Sequence, residues 1–371
     1  MRILVLTSTF PDRLESWNGI FVKEQVSAIA KEHDVCVVRL RVDYTRFKPF
    51  FSYKLIKDTT LGYPLYRITV AKSFPIYNQF NYIVAACYAT IKVLSDFKPD
   101  LIHCHYSYPS GIVASLIKKF YKIPFITTEH TKIKTTFRSV FHRILSLFAM
   151  KRAFRVVAVS NTLKAELKAV GINNVEVIPN VINIERFKTN KQNTNPFVIG
   201  FLGSMNSHNK GLDILLKACL ELPFEYFIRV GGAGKYLEYY RNLSRELGIE
   251  NKCGFLGEIL SPDIPSFYND LSVFVLASKY ETFGIVLVEA MASGIPVIAT
   301  KCGGPVDIVN YTSGILVDTD NVDQFMNAII NIHTNYESYK SEEIKNYALN
   351  SFSSIPFMLK TNNLYRLCLS K

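Results

Sequence analysis

Paired cysteines are missing from this sequence. The seven that occur (Cys36, Cys87, Cys104, Cys219, Cys253, Cys302 and Cys368) include no Cys-X-X-Cys and are odd in number. That excludes a disulfide framework and leaves no zinc-ligand spacing. Most fall inside apolar segments, where a reduced thiol behaves as a small hydrophobe. Long apolar runs are absent too. The nearest, Tyr82–Leu94, is about a dozen residues and carries Lys92, short of the roughly 18 that a membrane span needs. The opening Met1-Arg2-Ile3-Leu4-Val5-Leu6 is too brief for a secretion signal, so a cytoplasmic chain is expected. There is no low-complexity segment and no tandem repeat.

Several cofactor motifs are also lacking. No Gly-X-Gly-X-X-Gly follows the first apolar run, which argues against a dinucleotide dehydrogenase. Gly234-Lys235 is not a phosphate-binding P-loop, because Arg229 stands where its first glycine belongs and Tyr236 follows the lysine. No Asp-X-Asp sits at a strand end. Asp318-Thr319-Asp320 comes late and reads as a helix entry, so no catalytic metal and no cofactor are expected.

Acidic residues are scarce in one half only. Residues 1–180 hold 26 Lys and Arg against 12 Asp and Glu, whereas residues 181–371 hold 17 against 19. A basic half joined to a near-neutral half suits an anionic partner such as a membrane surface or a phosphorylated acceptor, and equally suits ordinary solvated cations. Nucleic acid has only charge in its favour, since no recognition motif appears.

What is present is an alternation of strand-like and helix-like segments. Ile3–Leu6, Val35–Leu40, Leu65–Val70, Leu101–Cys104, Phe125–Thr128, Val156–Val159 and Val175–Ile178 read as buried strands. Helical periodicity separates them, notably at Ile20–Ala30, Phe80–Leu94, Gly111–Phe120 and Ile133–Met150. Residues 41–63 show no period and read as an irregular excursion. A polar stretch at about 179–196 follows, and then the alternation restarts at Phe197–Leu202. A chain of 371 residues exceeds one ordinary core and fits two domains of roughly 150–200 residues. The expected fold is α/β: two doubly wound parallel-sheet domains, at 1–180 and 197–354, with a linker at 181–196. Ligands in such sheets lie beyond the carboxyl ends of the strands.

The most informative string runs from Ser278 to Thr300: Ser-Lys-Tyr-Glu-Thr-Phe-Gly-Ile-Val-Leu-Val-Glu-Ala-Met-Ala-Ser-Gly-Ile-Pro-Val-Ile-Ala-Thr. It places Glu281 in a loop before a helix, Gly284 near the helix start and Glu289 within the helix. Free N–H groups at a helix start suit a phosphate, and ionised carboxylates accept hydrogen bonds from sugar hydroxyls. The spacing alone fits equally a capped helix with two surface glutamates.

The whole string resembles the signature of glycosyltransferase family 4, and the resemblance runs through nearly the full chain. Asn18-Gly19-Ile20 matches the N-terminal glycine loop, Thr128-Glu129-His130 the strand-end histidine, and Ile178-Pro179-Asn180 the interdomain segment. Gly203 to Gly211 matches the phosphate loop ending in Lys-Gly, Val230 to Gly234 the glycine turn, Phe255-Leu256-Gly257 the nucleoside-side loop, and Cys302-Gly303-Gly304 the late glycine pair.

That resemblance implies a GT-B fold, with the final helix, about 355–369, packing back on the N-terminal domain. It also implies retaining transfer from a nucleoside diphosphate sugar to a glycan or lipid-linked acceptor. Carried over residue by residue, it gives His130, Lys210 and Glu281 catalytic roles. Gly19, Ser204, Lys210, Gly232, Glu281, Phe283, Gly284, Ile285, Val286 and Glu289 become donor-binding positions. Lys210 would meet the diphosphate, Glu289 the ribose, and Glu281 and His130 the donor sugar. One departure stands out: the family's arginine after the glycine at 203 is Ser204 here. Ala277-Ser278 and Val181 are smaller departures. A nucleotide-sugar 2-epimerase and a non-catalytic sugar-nucleotide binding subunit share the architecture.

Two features remain open. His103 reads as a core histidine, and His105 as either core or cleft-facing. Lys132 to Arg155 combines seven cations, Arg138 among them, with Ile133, Phe137, Val140, Phe141, Ile144, Leu147 and Phe148 at helical spacing. That helix either faces a core with its basic side solvated or lies on anionic lipid headgroups.

Overall fold

The computed structural model describes residues 1–12, 18–48, 52–137, 139–189 and 196–370. Arg138 and the linker positions 190–195 therefore lie outside the described residues. The chain divides into two compact units, Met1–Val181 with Phe357–Lys371, and Ile182–Pro356.

The first unit is built on eight strands: β1 (Arg2–Thr7), β2 (Asp34–Phe47), β3 (Tyr53–Asp58), β4 (Leu65–Lys72), β5 (Leu101–His105), β6 (Phe125–Glu129), β7 (Val156–Ala158) and β8 (Val175–Val177). Their order in the sheet is β3-β4-β2-β1-β5-β6-β7-β8. All pairs are parallel except β3 with β4. The central strands are buried along nearly their whole length, with their polar residues gathered toward the carboxyl ends. Phe357, Met358, Leu364, Tyr365 and Cys368 of the last helix, Ser354–Leu369, share a core with Ile3, Val5, Val26, Val37 and Leu101.

The excursion expected at 41–63 is in fact strand. β2 continues to Phe47, and β3 closes the sheet edge against β4. The β2 extension carries Val42, Tyr44, Thr45 and Phe47, and β3 carries Tyr53 and Ile56, residues that suit a pleated surface. Solvent reaches them on both faces, so no apolar alternation marks them in the sequence. The single helix expected at Ile133–Met150 is broken. Ile133–Thr136 ends, and Ser139 caps a new helix, Val140–Arg152, by accepting the His142 N–H at 3.3 Å.

The second unit holds β9 (Phe197–Leu202), β10 (Tyr226–Gly231), β11 (Cys253–Gly257), β12 (Val273–Leu276), β13 (Val297–Thr300) and β14 (Gly314–Val317). They form an all-parallel sheet ordered β11-β10-β9-β12-β13-β14. β9 changes direction of travel across the sheet: β10 lies on one side of it and β12 on the other. This is a topological switch point, where loops splay and a ligand can enter. β14 is four residues long, too short for its apolar run to stand out from the loop before it.

Candidate functional site

In the second unit, the loops after β9, β10, β12 and β13 meet at the carboxyl end of the sheet. Backbone hydrogen bonds lock them together. Gly203 and Met205 donate to the carbonyls of Gly231 and Ala233 at 3.1 and 2.9 Å, and Gly232 donates to Gly257 at 2.7 Å. On the other side, Lys279 donates to Asn209 at 2.8 Å. Glu281 donates to Cys302 at 3.0 Å and accepts from Gly304 at 2.9 Å. The loops can come this close only because glycine stands at the crossings. A Cβ on Gly232 would lie 1.9 Å from the Gly203 carbonyl oxygen, and one on Gly211 would lie 2.0 Å from that of Ala277. Both residues have positive φ.

These loops bring Lys210 and Glu281 into a short ion pair, with both side chains partly shielded. The Ser278 hydroxyl donates to the same carboxylate oxygen at 2.9 Å. Gly284, left-handed, opens the helix Ile285–Ala292. The first-turn N–H groups of Ile285 and Val286 have no partner within their own helix and carry its positive end. Phe283 is buried beneath this loop. Glu289, one turn on, accepts a hydrogen bond from the Tyr268 hydroxyl at 3.0 Å. Tyr268 is fully buried, and the Val286 carbonyl, 3.2 Å from its hydroxyl, shares the same donor hydrogen in a three-centre bond. Burial and the neighbouring carboxylate hold its phenol well above the ordinary tyrosine value, so it remains a donor. Ser204 lies exposed in the loop after β9, and its Oγ accepts from the Asn206 amide at 3.1 Å. The second unit thus gathers Ser204, Lys210, Gly232, Glu281, Phe283, Gly284, Ile285, Val286 and Glu289 around one sheet end.

In the first unit, Gly19 opens the helix Ile20–Ile29 after β1, and His130 follows directly on β6. His130 is buried. Its Nε2 shares a hydrogen bond with His105 Nδ1 at 2.9 Å, and the two rings stack. His105 stacks in turn on His103. His103 bonds Tyr365 Oη at 2.7 Å and Thr128 Oγ1 at 2.8 Å, so it is a satisfied core histidine. His105 is fully buried as well. Burial drives the His103 and His130 imidazoles down to about 3, with the His103 ring adding to the effect on His130. His105 is lowered by the same causes. All three rings are therefore neutral at neutral pH.

Beside this stack lies a cavity of about 520 Å³, lined by tyrosines, threonines, Arg39, Arg41 and other polar side chains of the first unit. Tyr44, Tyr82, Tyr106 and Tyr108 supply aromatic surface, and Glu129 supplies a carboxyl. Glu129 accepts the Ser107 backbone N–H at 2.6 Å through one oxygen, while the other, Oε2, is buried with no hydrogen-bond partner among the described residues. Burial raises this carboxyl to about 7, and the Ser107 bond opposes the rise.

Sequence reasoning missed two of these groups. Tyr268 follows Phe267 in a short helix and looks like core. Glu129 was visible only as the neighbour of His130, and its cavity is assembled from segments more than 80 residues apart.

Loops locked at a parallel switch point, a lysine paired with a carboxylate, and an open helix start form a site suited to a phosphorylated ligand at the carboxyl end of an α/β sheet. Two family models match this chain: Glycosyltransferase Family 4 over residues 19–186 and Glycosyl transferases group 1 over residues 182–350. The chain belongs to glycosyltransferase family 4 and is a glycosyltransferase. It is 28% identical to an uncharacterized glycosyltransferase of Methanocaldococcus jannaschii, over 74% of this chain and 78% of that one. It is 24% identical to a UDP-Gal:alpha-D-GlcNAc-diphosphoundecaprenol alpha-1,3-galactosyltransferase of Escherichia coli, over 74% and 77% of the two chains. Among solved structures, Anabaena HepE in complex with UDP superposes with a TM-score of 0.78 at 20% identity, covering 99% of this chain and all of that one.

Proposed function

We propose that this enzyme transfers a sugar, with retention at the anomeric carbon, from a nucleoside diphosphate sugar to a cell-envelope glycan. A lipid-linked oligosaccharide, a capsule precursor or an O-antigen precursor is the class of acceptor. The observation that carries the reading is the Lys210–Glu281 pair beside the open start of the helix Ile285–Ala292. A cation and two N–H groups without a partner in their own helix, in one place, suit the charge that grows on a departing diphosphate. The UDP bound to HepE and the diphosphoundecaprenol acceptor of the Escherichia coli relative support the same assignment.

In this reading Lys210 stabilises the leaving diphosphate. The backbone from Phe283 to Val286 lines the diphosphate and the sugar. Glu289 holds the ribose hydroxyls, with Tyr268 fixing its rotamer. Glu281 contacts the donor sugar, and in the free enzyme Lys210 and Ser278 hold its carboxylate in place. His130 is given to the donor sugar and Gly19 to the approach of the first loop. Residues 1–180 form the acceptor side, 197–354 the donor side, and 181–196 the link. The tyrosine-lined cavity takes an acceptor sugar: aromatic faces pack on a ring, and the Glu129 carboxyl pairs with a hydroxyl. Neither a metal nor a cofactor is required, because Lys210 and the helix start supply the positive charge. The enzyme works in the cytoplasm, at the inner face of the membrane where a lipid-linked acceptor is presented.

Thermal unfolding with a panel of UDP-, GDP- and ADP-sugars tests the donor half. A ligand that binds only the native state raises Tm with concentration. One nucleotide class should stabilise the protein, and should do so less in Glu289→Ala. Equal indifference to every donor would sink the reading.

A further inference from the structure

Amphipathic helices of a globular domain normally bury their apolar stripe. The helix Val140–Arg152 does the reverse. Its inward face carries His142, Ser146, Ala149 and Met150. Val140, Phe141, Ile144 and Phe148 point to solvent, with exposures of 75, 45, 61 and 40%. They recur at intervals of three and four residues, so they form one stripe. The stripe is too regular and too aromatic to be scattered surface apolarity.

A second helix extends the patch. Ile112–Tyr121 ends beside the end of the first, where Lys118 Nζ donates to the Arg152 carbonyl at 2.9 Å. Phe120 and Tyr121 are exposed at that end.

Charge identifies the occupant. Between residues 101 and 155 the sequence holds ten Lys or Arg and a single acidic residue, Glu129, which is buried. Lys119, Lys122, Arg143, Lys151 and Arg152 are exposed on or beside the two helices. Arg152 covers the Phe148 ring at 4.3 Å and Arg143 covers the Phe137 ring at 6.0 Å, so cations sit against the aromatic surface. Aliphatic and aromatic groups at the centre, cations at the rim and no exposed carboxylate between residues 101 and 155 complement an anionic lipid surface. A protein partner of the same footprint would need an uninterrupted acidic rim, whereas anionic headgroups supply one everywhere.

We infer that the exposed face of Val140–Arg152, together with the end of Ile112–Tyr121, docks the first unit onto an anionic bilayer. The side chains enter the headgroup region and the lysines and arginines pair with lipid phosphates. This deepens the membrane part of the proposed function, and it rests on surface chemistry rather than on the transfer reaction.

Vesicle sedimentation with the full chain tests it. Wild type should bind phosphatidylcholine vesicles that contain phosphatidylglycerol and leave pure phosphatidylcholine vesicles largely unbound. Binding should weaken with salt, because exposed charges are screened over about 8 Å at physiological ionic strength. The double variant Phe141→Glu with Ile144→Glu should lower partitioning about tenfold or more, since it removes inserted apolar area and repels the headgroups. Both positions are exposed, and an unchanged thermal unfolding curve verifies the fold. A Phe148→Trp variant gives a second readout: its fluorescence should shift to the blue on anionic vesicles and not on neutral ones. Wild-type binding by the double variant, equal binding to neutral vesicles, or no binding at all would each overturn the inference. Donor stabilisation in the absence of vesicles is untouched by any of these results, so failure here is separable from failure of the transferase reading.

Discussion

The two units treat polar groups in opposite ways. In the second, Lys210 and Glu281 are paired at a partly open loop, and backbone N–H groups complete a charged surface. In the first, Arg39 and Arg41 line the cavity and pair with Asp12, but the histidines and the carboxyl beside it are desolvated. Three histidines are pushed toward neutrality and the Glu129 carboxyl is raised to about 7. The difference matches what each proposed substrate brings. A diphosphate is recognised by charge, and an uncharged sugar by shape, aromatic contact and hydroxyl pairing. The exposed cations of Val140–Arg152 and of the end of Ile112–Tyr121 are those proposed to meet the membrane.

The largest expected effect breaks the charged side. Lys210→Ala should lower turnover by roughly 10²–10³, the scale of removing one preorganised group that stabilises developing charge. Steady-state kinetics with donor saturating decides it, and wild-type turnover would move the diphosphate site elsewhere. The next effect probes the desolvated side through pH. A carboxyl raised by folding adds stability that is complete below its unfolded value and is lost as pH rises through about 7. Glu129→Gln should therefore gain stability over wild type at pH 8, by on the order of 2–3 kcal/mol, and little at pH 4. The histidines act oppositely. Their lowered values add stability above the ordinary imidazole range, and it is lost as pH falls toward 3. Urea unfolding across pH separates the two, and a flat Glu129→Gln difference would remove the buried-acid assignment.

Much of the second unit was legible because its site is local. Glu281, Gly284 and Glu289 lie within nine residues, and the turn glycines mark strand ends wherever loops must cross. The first unit was harder to read, for physical reasons. β2 beyond Leu40 and β3 are solvated on both faces, so they lose the apolar signature of a strand. The helix expected at Ile133–Met150 hid its break at Ser139, whose cap is a hydrogen bond rather than a composition change. Periodicity revealed the apolar stripe at Val140–Phe148 but not which way it faces. That orientation depends on His142, Ser146 and Ala149 packing inward, which only tertiary contacts reveal.

A smaller effect sharpens the donor side. Tyr268 reaches Glu289 only through its hydroxyl, and Tyr268→Phe keeps the buried ring. Losing a hydrogen bond to a charged group costs about 1.5 kcal/mol or somewhat more, which is about tenfold in donor affinity. If Glu289 anchors the ribose, donor KM should rise by that factor while kcat stays near wild type. A fall in kcat alone would mean that Glu289 acts at the reacting centre. A fall in Tm alone would mean that Tyr268 only packs.

The smallest expected change is also the most instructive about this chain. Ser204 occupies the loop after β9 where the family resemblance places an arginine. The side chain is exposed and its hydroxyl accepts from the Asn206 amide, so Ser204→Arg should leave stability within about 0.5 kcal/mol of wild type. Its effect on donor use discriminates two versions of the site. If Lys210 and the helix start at Ile285 already balance the diphosphate, an added guanidinium at a solvated loop contributes little, and donor KM should stay within a few-fold. If the missing cation is a true deficit, the same change should raise kcat, because an arginine placed on the leaving group acts in the transition state more than in the ground state. Measuring both constants in Ser204→Arg and in Ser204→Arg with Lys210→Ala settles which holds. Rescue of the Lys210→Ala loss by the arginine would place both positions on one diphosphate, and purely additive effects would separate them.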